Sequence, residues 1–242
     1  MLGVTPAYRN TLRNYVIAFG SIFDDITIQR KDSAGAIQQT IKVPLSYGPT
    51  QKYLSRVGVS STDNEVAILL PRMSFEMNNF SYDGTRKRNK LSGIRKANNT
   101  DNLTSDFVYN PVPYDVGFTL SIMVKNAEDG TQILEQILPF FAPSFIIPIK
   151  ELTGELDLVA DIPLILDGVD MQDDYEGDYL TRRALIWSLS FTLKGQVYGS
   201  KTTSNIITSA ITNTYDTSDT GKTNALSTAT VPNDFGFGET LP

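Results

Sequence analysis

The sequence predicts an α+β fold: a mixed, mainly antiparallel sheet flanked by helices, followed by a C-terminal arm. Three observations carry this reading. Leu185, Trp187, Leu189, Phe191 and Leu193 alternate with Ser188, Ser190, Thr192 and Lys194, the two-residue period of a strand with one buried face. Leu12, Tyr15, Val16 and Phe19 recur instead at helical spacing. The helices fall irregularly among the strands, in the order helix, hairpin, helix, strands, helix, strands, which favours α+β over a repeated βαβ unit.

The first element is a helix over Ala7–Phe19, with Gly20 as its stop signal. Ile26–Arg30 and Ile37–Val43 are β-prone runs separated by KDSAGA, whose Asp, Ser and Gly suit a hairpin turn. Pro44 ends the second strand because it cannot donate to a ladder. Pro49–Val57 reads as a short helix with proline in its first turn. Met73, Phe75 and Met77, then Phe118, Leu120, Ile122 and Val124, alternate with polar neighbours and predict two more strands. Asp129–Leu138 is a helix with Asp129 as cap, Ile133, Leu134, Ile137 and Leu138 as its apolar face, and Pro139 as its stop.

From Gly199 onward the composition changes: 16 of the last 44 residues are Ser or Thr, and apolar residues are sparse apart from Ile206, Ile207 and Ile211. Such a segment buries too little surface to offset its ordering entropy. The expected organisation is therefore a domain over residues 1–199 and an arm over 200–242, mobile alone and ordering on a partner by adding to a sheet edge, where Ile206, Ile207 and Ile211 support a short strand.

The chain has 242 residues, 40% hydrophobic and 10% aromatic, enough for a real core in one domain or a small pair. It contains no Cys and no His. That removes thiolate nucleophiles, sulfur ligands, imidazole bases and imidazole ligands, and with them most hydrolase mechanisms and most transition-metal sites. The opening MLGVTPAYRN shows no basic leader before an apolar stretch. The longest apolar run, Ile137–Ile149, carries three prolines and falls short of the ~20 residues that span a bilayer. A soluble, intracellular protein with no membrane partner is expected.

Net charge is −6, which argues against global attraction to nucleic acid, but the charges are polarised. Arg86, Lys87, Arg88, Lys90, Arg95 and Lys96 fall in a Gly/Asn-rich stretch expected to be an irregular loop. It suits a solvated surface, an acidic protein surface or DNA phosphates. Glu151–Asp178 holds ten acidic residues and no basic one, ending in Asp173, Asp174, Glu176 and Asp178. DDYEGD lacks the spacing of a calcium loop, so a solvated loop or a protein contact is the expectation rather than a metal site. No constellation suggests catalysis, and no cofactor is expected.

Whole segments nevertheless carry a resemblance. LPRMSFEMNNFSY (Leu70–Tyr82), YNPVPY (Tyr109–Tyr114), QILPFFAPSF (Gln136–Phe145) and LTRRALIWSLSF (Leu180–Phe191) resemble the tail sheath stabiliser family of T4-like contractile-tailed phages, also called tail completion or terminator proteins. FGSIFDDITIQR and IKVPLSY fit the same family, so the likeness covers roughly Tyr8–Gly199. The resemblance implies a terminator-like α+β fold and a structural, non-enzymatic virion protein, located in the tail and neck and assembled in the host cytoplasm. It further implies a homo-hexameric ring at the head-proximal end of the tail. The partners would be the sheath protein, the tail-tube terminator and neck or head-completion proteins, with DNA only as passing cargo. A tube terminator or other neck-ring protein is the neighbouring reading, and a nucleic-acid-binding module the one from a different class. The resemblance assigns Pro111, Pro113, Pro139, Arg182, Arg183 and Trp187 to architecture. Arg86, Lys87, Arg88, Lys90, Arg95, Lys96, Asp173, Asp174, Glu176, Asp178, Ile206, Ile207 and Ile211 are the expected subunit or partner contacts.

Overall fold

The structure is a computed structural model that describes residues 8–32, 35–54, 69–97, 104–152, 158–174, 184–206, 211–214 and 227–230. In chain order the elements are α1 (Thr11–Phe23), β1 (Thr27–Lys31), β2 (Ile37–Lys42), β3 (Leu45–Tyr47), α2 (Thr50–Leu54), β4 (Arg72–Tyr82), β5 (Gly93–Ala97) and β6 (Thr104–Tyr109). They continue with β7 (Val112–Val124), α3 (Ala127–Ile137), a 3-10 turn over Leu138–Phe140, β8 (Ser144–Lys150), β9 (Val159–Asp174) and β10 (Ala184–Val197). The last are β11 (Lys201–Asn205), β12 (Ile211–Thr214) and β13 (Ser227–Thr230). The chain forms two compact units, one from Met1–Asn89 and Pro111–Gly199, the other from Lys90–Asn110 and Ser200–Pro242.

The first unit is built on a six-stranded sheet of order β3-β4-β7-β10-β9-β8. Every pairing in it is antiparallel except β3 on β4, which is parallel. The alternation read from the sequence sets its faces. Phe118, Leu120 and Ile122 on β7 lie opposite Phe191, Leu189 and Trp187 on β10, and Met77, Phe75 and Met73 of β4 flank them. All of these point to one buried side, where α1 lays Tyr15, Phe19 and Phe23. The Phe19 ring stacks on Phe118 at 4.5 Å between centroids and meets Phe75 and Phe191 at 5.3 Å each. Burying such rings contributes through both apolar area and aromatic pairing.

Gly20 does not stop α1, which runs on to Phe23. A Cβ at Gly20 would lie 3.0 Å from the Phe75 ring, so the glycine admits the helix to the sheet rather than ending it. The KDSAGA spacer does turn the β1–β2 pair, with Gly35 at φ +81°, a conformation glycine adopts without penalty. The short second helix covers Thr50–Leu54, and residues 55–57 of its expected extent lie outside the described residues. It closes one end of the opposite sheet face: Thr50 Oγ1 donates to Ser121 Oγ at 2.7 Å, and Tyr53 packs with Met123 and Ile186.

Asp129 is not the cap of α3. It is the third residue of the helix, its side chain 1% exposed, and the Arg30 guanidinium from β1 grips both its oxygens. Asn126 takes the cap position without a capping side-chain bond. Gln132 and Gln136 on the same helix bond the backbone of Gln29 and Thr27, so α3 supplies partners to the otherwise open edge of β1. Helix and hairpin are thereby locked together. Trp187 is a core residue as expected, 6% exposed, seated where Gly130 of α3 leaves room for its ring.

Three expectations need correction. The acidic stretch is not an irregular loop: residues 159–174 form β9, a sixteen-residue strand. Ile162, Leu164 and Leu166 face the core while Asp161 and Asp167 stand on exposed positions, so high acidity concealed a regular alternation. The basic stretch is only partly a loop, because Arg95 and Lys96 lie on β5. The start of the Ser/Thr-rich segment is a strand of this chain's own sheet: β11 pairs antiparallel with β6 from Lys201↔Val108 to Asn205↔Thr104. Backbone ladder bonds and an edge position, rather than apolar burial, account for a strand whose five side chains are all exposed.

The second unit has the sheet order β11-β6-β5 and a separate β12–β13 antiparallel pair. Val108 is its buried centre. Asp106 on β6 accepts bonds from Lys201 Nζ at 3.2 Å and Thr203 Oγ1 at 2.7 Å, both on β11. Arg95 lies over the Phe107 ring at 5.7 Å.

Candidate functional site

The basic loop leaves the end of β4 and is rooted by a single side chain. Arg86 Nε donates to Asp83 Oδ2 at 2.7 Å, and its Nη2 reaches Asp115 Oδ1 at 2.8 Å. The same guanidinium bonds the carbonyls of Lys194 at 3.0 Å and Tyr114 at 3.3 Å. Lys194 Nζ completes the cluster at 2.8 Å from Asp115 Oδ2. The hydroxyl of Thr85, then the Arg86 guanidinium, hold the Asp83 carboxyl well below the usual carboxylate range. Arg86 is thus committed to the fold, clamping the loop to the ends of β7 and β10, while Lys87 and Arg88 stay exposed.

Beside this root, Arg86, Arg88, Pro111, Pro113 and Gln196 line a shallow depression. The YNPVPY segment resolves here into two buried prolines, Pro111 just before β7 and Pro113 within it, that wall the depression. Gln196 also belongs to a buried polar hub. The Tyr15 hydroxyl lies 2.7 Å from both Glu151 Oε1 and the Gln196 carbonyl, and it accepts the Gln196 amide at 2.9 Å. Glu151 is 1% exposed, and its second oxygen has no partner among the described residues. Burial pushes its carboxyl up, and hydrogen bonds from the Tyr15 and Tyr198 hydroxyls offset part of the rise. Burial, then the Glu151 carboxylate, push the Tyr15 and Tyr198 phenols far above the ordinary tyrosine range. The hub joins α1 to the ends of β8 and β10. It is architecture, and no local pattern announced it because Tyr15 lies 136 residues from Glu151 and 181 from Gln196.

The sheet face opposite α1 carries small polar residues along its middle: Thr119 on β7, Ser188, Ser190 and Thr192 on β10. Asp167 is the extra residue of a bulge in β9, and its Oδ2 accepts Thr192 Oγ1 at 2.5 Å. Asp161, Asp167 and Asp170 are all exposed. The described residues show no group of three or more acidic side chains arranged to hold a metal ion, and no described helix is long and apolar enough to cross a membrane.

The expected contact residues distribute as follows. Lys87 and Arg88 are exposed just past the Arg86 anchor in the first unit, while Lys90, also exposed, and Arg95 and Lys96 on β5 belong to the second. Asp173 and Asp174 end β9, where their backbones pair with Leu185 and Ala184. Ile206 is half-buried just past β11, and Ile211 opens β12 opposite Thr230. Glu176, Asp178 and Ile207 lie outside the described residues, as do Arg182 and Arg183. Asp161, Asp167 and Asp170 were the exposed acids that sequence reading passed over, although their interleaving with Ile162, Leu164 and Leu166 was the available signal.

Comparison with known proteins supplies what geometry alone does not. A profile described as T4-like virus Myoviridae tail sheath stabiliser matches residues 6–239. Tail completion protein gp15 of Enterobacteria phage T4 is 30% identical over 198 residues, covering 79% of this chain and 71% of that protein.

Proposed function

The chain belongs to the T4-like virus Myoviridae tail sheath stabiliser family, and from that premise we propose that it closes into a ring capping the head-proximal end of a contractile tail. It is a tail component of a T4-like phage virion. The ring, a hexamer of identical chains, holds the sheath extended, seats on the tube and its terminator, and presents a surface to the neck and head-completion proteins. The role is structural and no reaction is catalysed. The observation that carries this reading is the family match across nearly the whole chain. The fold supports it, since its clustered ionisable groups tie elements together: Arg86 and Lys194 brace Asp83 and Asp115, and Glu151 sits among tyrosines.

A ring of identical subunits joins two different surfaces of one chain. Light scattering at tens of micromolar, run beside particles recovered from virions, is expected to show one closed oligomer. A monomer in both preparations contradicts the proposal. Hydrolase and nuclease assays with and without divalent metal are expected to stay at background. A rate that vanishes in Asp173→Asn, Asp174→Asn would overturn the non-enzymatic part.

A further inference from the structure

We propose that Glu151 holds a proton in the folded chain and that this proton latches α1 to the end of β10, where the chain leaves the first unit at Gly199. The Tyr15 hydroxyl has one hydrogen to donate and two acceptors within reach, Glu151 Oε1 and the Gln196 carbonyl, each at 2.7 Å. Its oxygen also accepts the Gln196 amide at 2.9 Å. With Glu151 ionised, two acceptors compete for one hydrogen, and one of these short contacts sets oxygen against oxygen with no hydrogen between them. With Glu151 protonated, the carboxyl donates to Tyr15, Tyr15 donates to the Gln196 carbonyl, and the Gln196 amide donates back to Tyr15. Every contact then has its hydrogen.

The surroundings favour the same state. Glu151 is 1% exposed and its Oε2 has no hydrogen-bond partner among the described residues, a smaller penalty for the carbonyl of a neutral acid than for a carboxylate. No cation pairs with it among the described residues; the groups that act on its carboxyl are the Tyr15 phenol from α1 and the Tyr198 phenol just past β10. The other charged groups around the hub have different tasks. Arg9, ahead of α1, donates to the Gly199 carbonyl, Lys150 at the end of β8 is exposed, and Arg88 acts on Tyr198. Burial holds both phenols protonated, so the proton able to leave is the one on Glu151. The β9–β10 ladder stops at Leu193↔Leu164, and beyond it the Tyr15 hydroxyl serves the Gln196 backbone as both donor and acceptor. When Glu151 ionises it draws the Tyr15 hydrogen away from the Gln196 carbonyl, and the junction of α1 with β10 loosens.

Hydrogen exchange at the Gln196 amide of the full-length chain reads the latch. Glu151→Gln is the reference, because its neutral amide can still donate to Tyr15 and does not titrate; the β7 amides of the same molecule are a second reference that needs no variant. The latched state holds the proton more tightly than the open one. Opening of wild type relative to either reference should therefore grow about tenfold per pH unit from the ordinary carboxyl range up to the raised one, and level off above it. Tyr15→Phe, which keeps the ring and drops the hydroxyl, should abolish that pH step. Carbon-13 spectra of wild type labelled at glutamate Cδ follow the proton itself and should show one side chain titrating above the rest, the signal that Glu151→Gln removes. Glutamates that all titrate together in wild type overturn the proposal, whether or not the variants fold. A glutamate that titrates high while Gln196 exchange stays parallel to its references leaves a protonated carboxyl that latches nothing, which also overturns it. Neither result bears on the ring.

Discussion

Replacing Gly130 by Ala puts two opposing effects on one residue. Gly130 lies within α3, where helix propensity alone favours Ala over Gly by about 1 kcal/mol. The Cβ, however, would sit 2.5 Å, 2.6 Å and 2.8 Å from three carbons of the Trp187 ring. Carbon atoms make optimal contact near about 3.5–4.0 Å. The ring is 6% exposed and walled in by the core, so it has nowhere to retreat. Overpacking of this kind costs about 1–3 kcal/mol, and the enclosure puts this site at the upper end. The expected net effect of Gly130→Ala is a loss of about 2 kcal/mol. In a Trp187→Leu background the three clashing atoms are gone, and the same substitution should stabilise by about 1 kcal/mol. Urea unfolding of the four chains, compared at constant m, measures the coupling. Stabilisation by Gly130→Ala in the wild-type background would refute the packing of α3 against β10.

Other consequences are equally concrete. Arg86→Ala leaves Asp83, Asp115 and two carbonyls short of a donor and should cost about 1–3 kcal/mol, whereas Lys87→Ala should stay within about 0.5 kcal/mol, both read by thermal melts. Equal effects would contradict the separation of anchor from exposed cation. The Glu151 carboxyl is raised by burial, so its contribution falls as pH rises between its unfolded and folded pKa values and its cost is fully present above the folded one. Glu151→Gln should therefore gain on wild type as pH rises above about 4.5, and a pH-independent difference in melting would contradict this. Ending the chain at Gly199 removes β11 from β6, so hydrogen exchange should accelerate at the Thr104–Tyr109 amides that bond it while β7 and β10 remain protected. Unchanged protection in β6 would show that the pairing is dispensable.

Much of the first unit was legible because its strands alternate cleanly. The stripes on β4, β7 and β10 needed only the two-residue period, and α1 only the helical one. What misled were residues with two physical uses. Gly20 resembled a helix stop because glycine ends helices, yet here it lets Phe75 approach. Asp129 resembled a cap because Asp caps helices, yet it is held inside α3 by Arg30, 99 residues away in sequence. β9 was hidden because its exposed face is acidic enough to suggest solvated loop, although Ile162, Leu164 and Leu166 kept the strand period. β5, β6 and β11 had the least signal, since β11 pairs with β6 from nearly a hundred residues away and the outer strands β5 and β11 bury little. The charged stretches were legible in the sequence as charge runs. Their division into an anchor, Arg86, and exposed cations was not, because it depends on Asp115 and the Lys194 carbonyl, which only the sheet brings near.

The proposed role places this chain in a ring at the head-proximal end of a contractile tail. Electron micrographs of virions assembled with a gold-labelled copy of the chain test it most directly. The account predicts label at the tail–neck junction of every particle, with six-fold end-on averages of the isolated label-bearing ring. Label spread along the sheath, at the distal end or absent from the virion would contradict it.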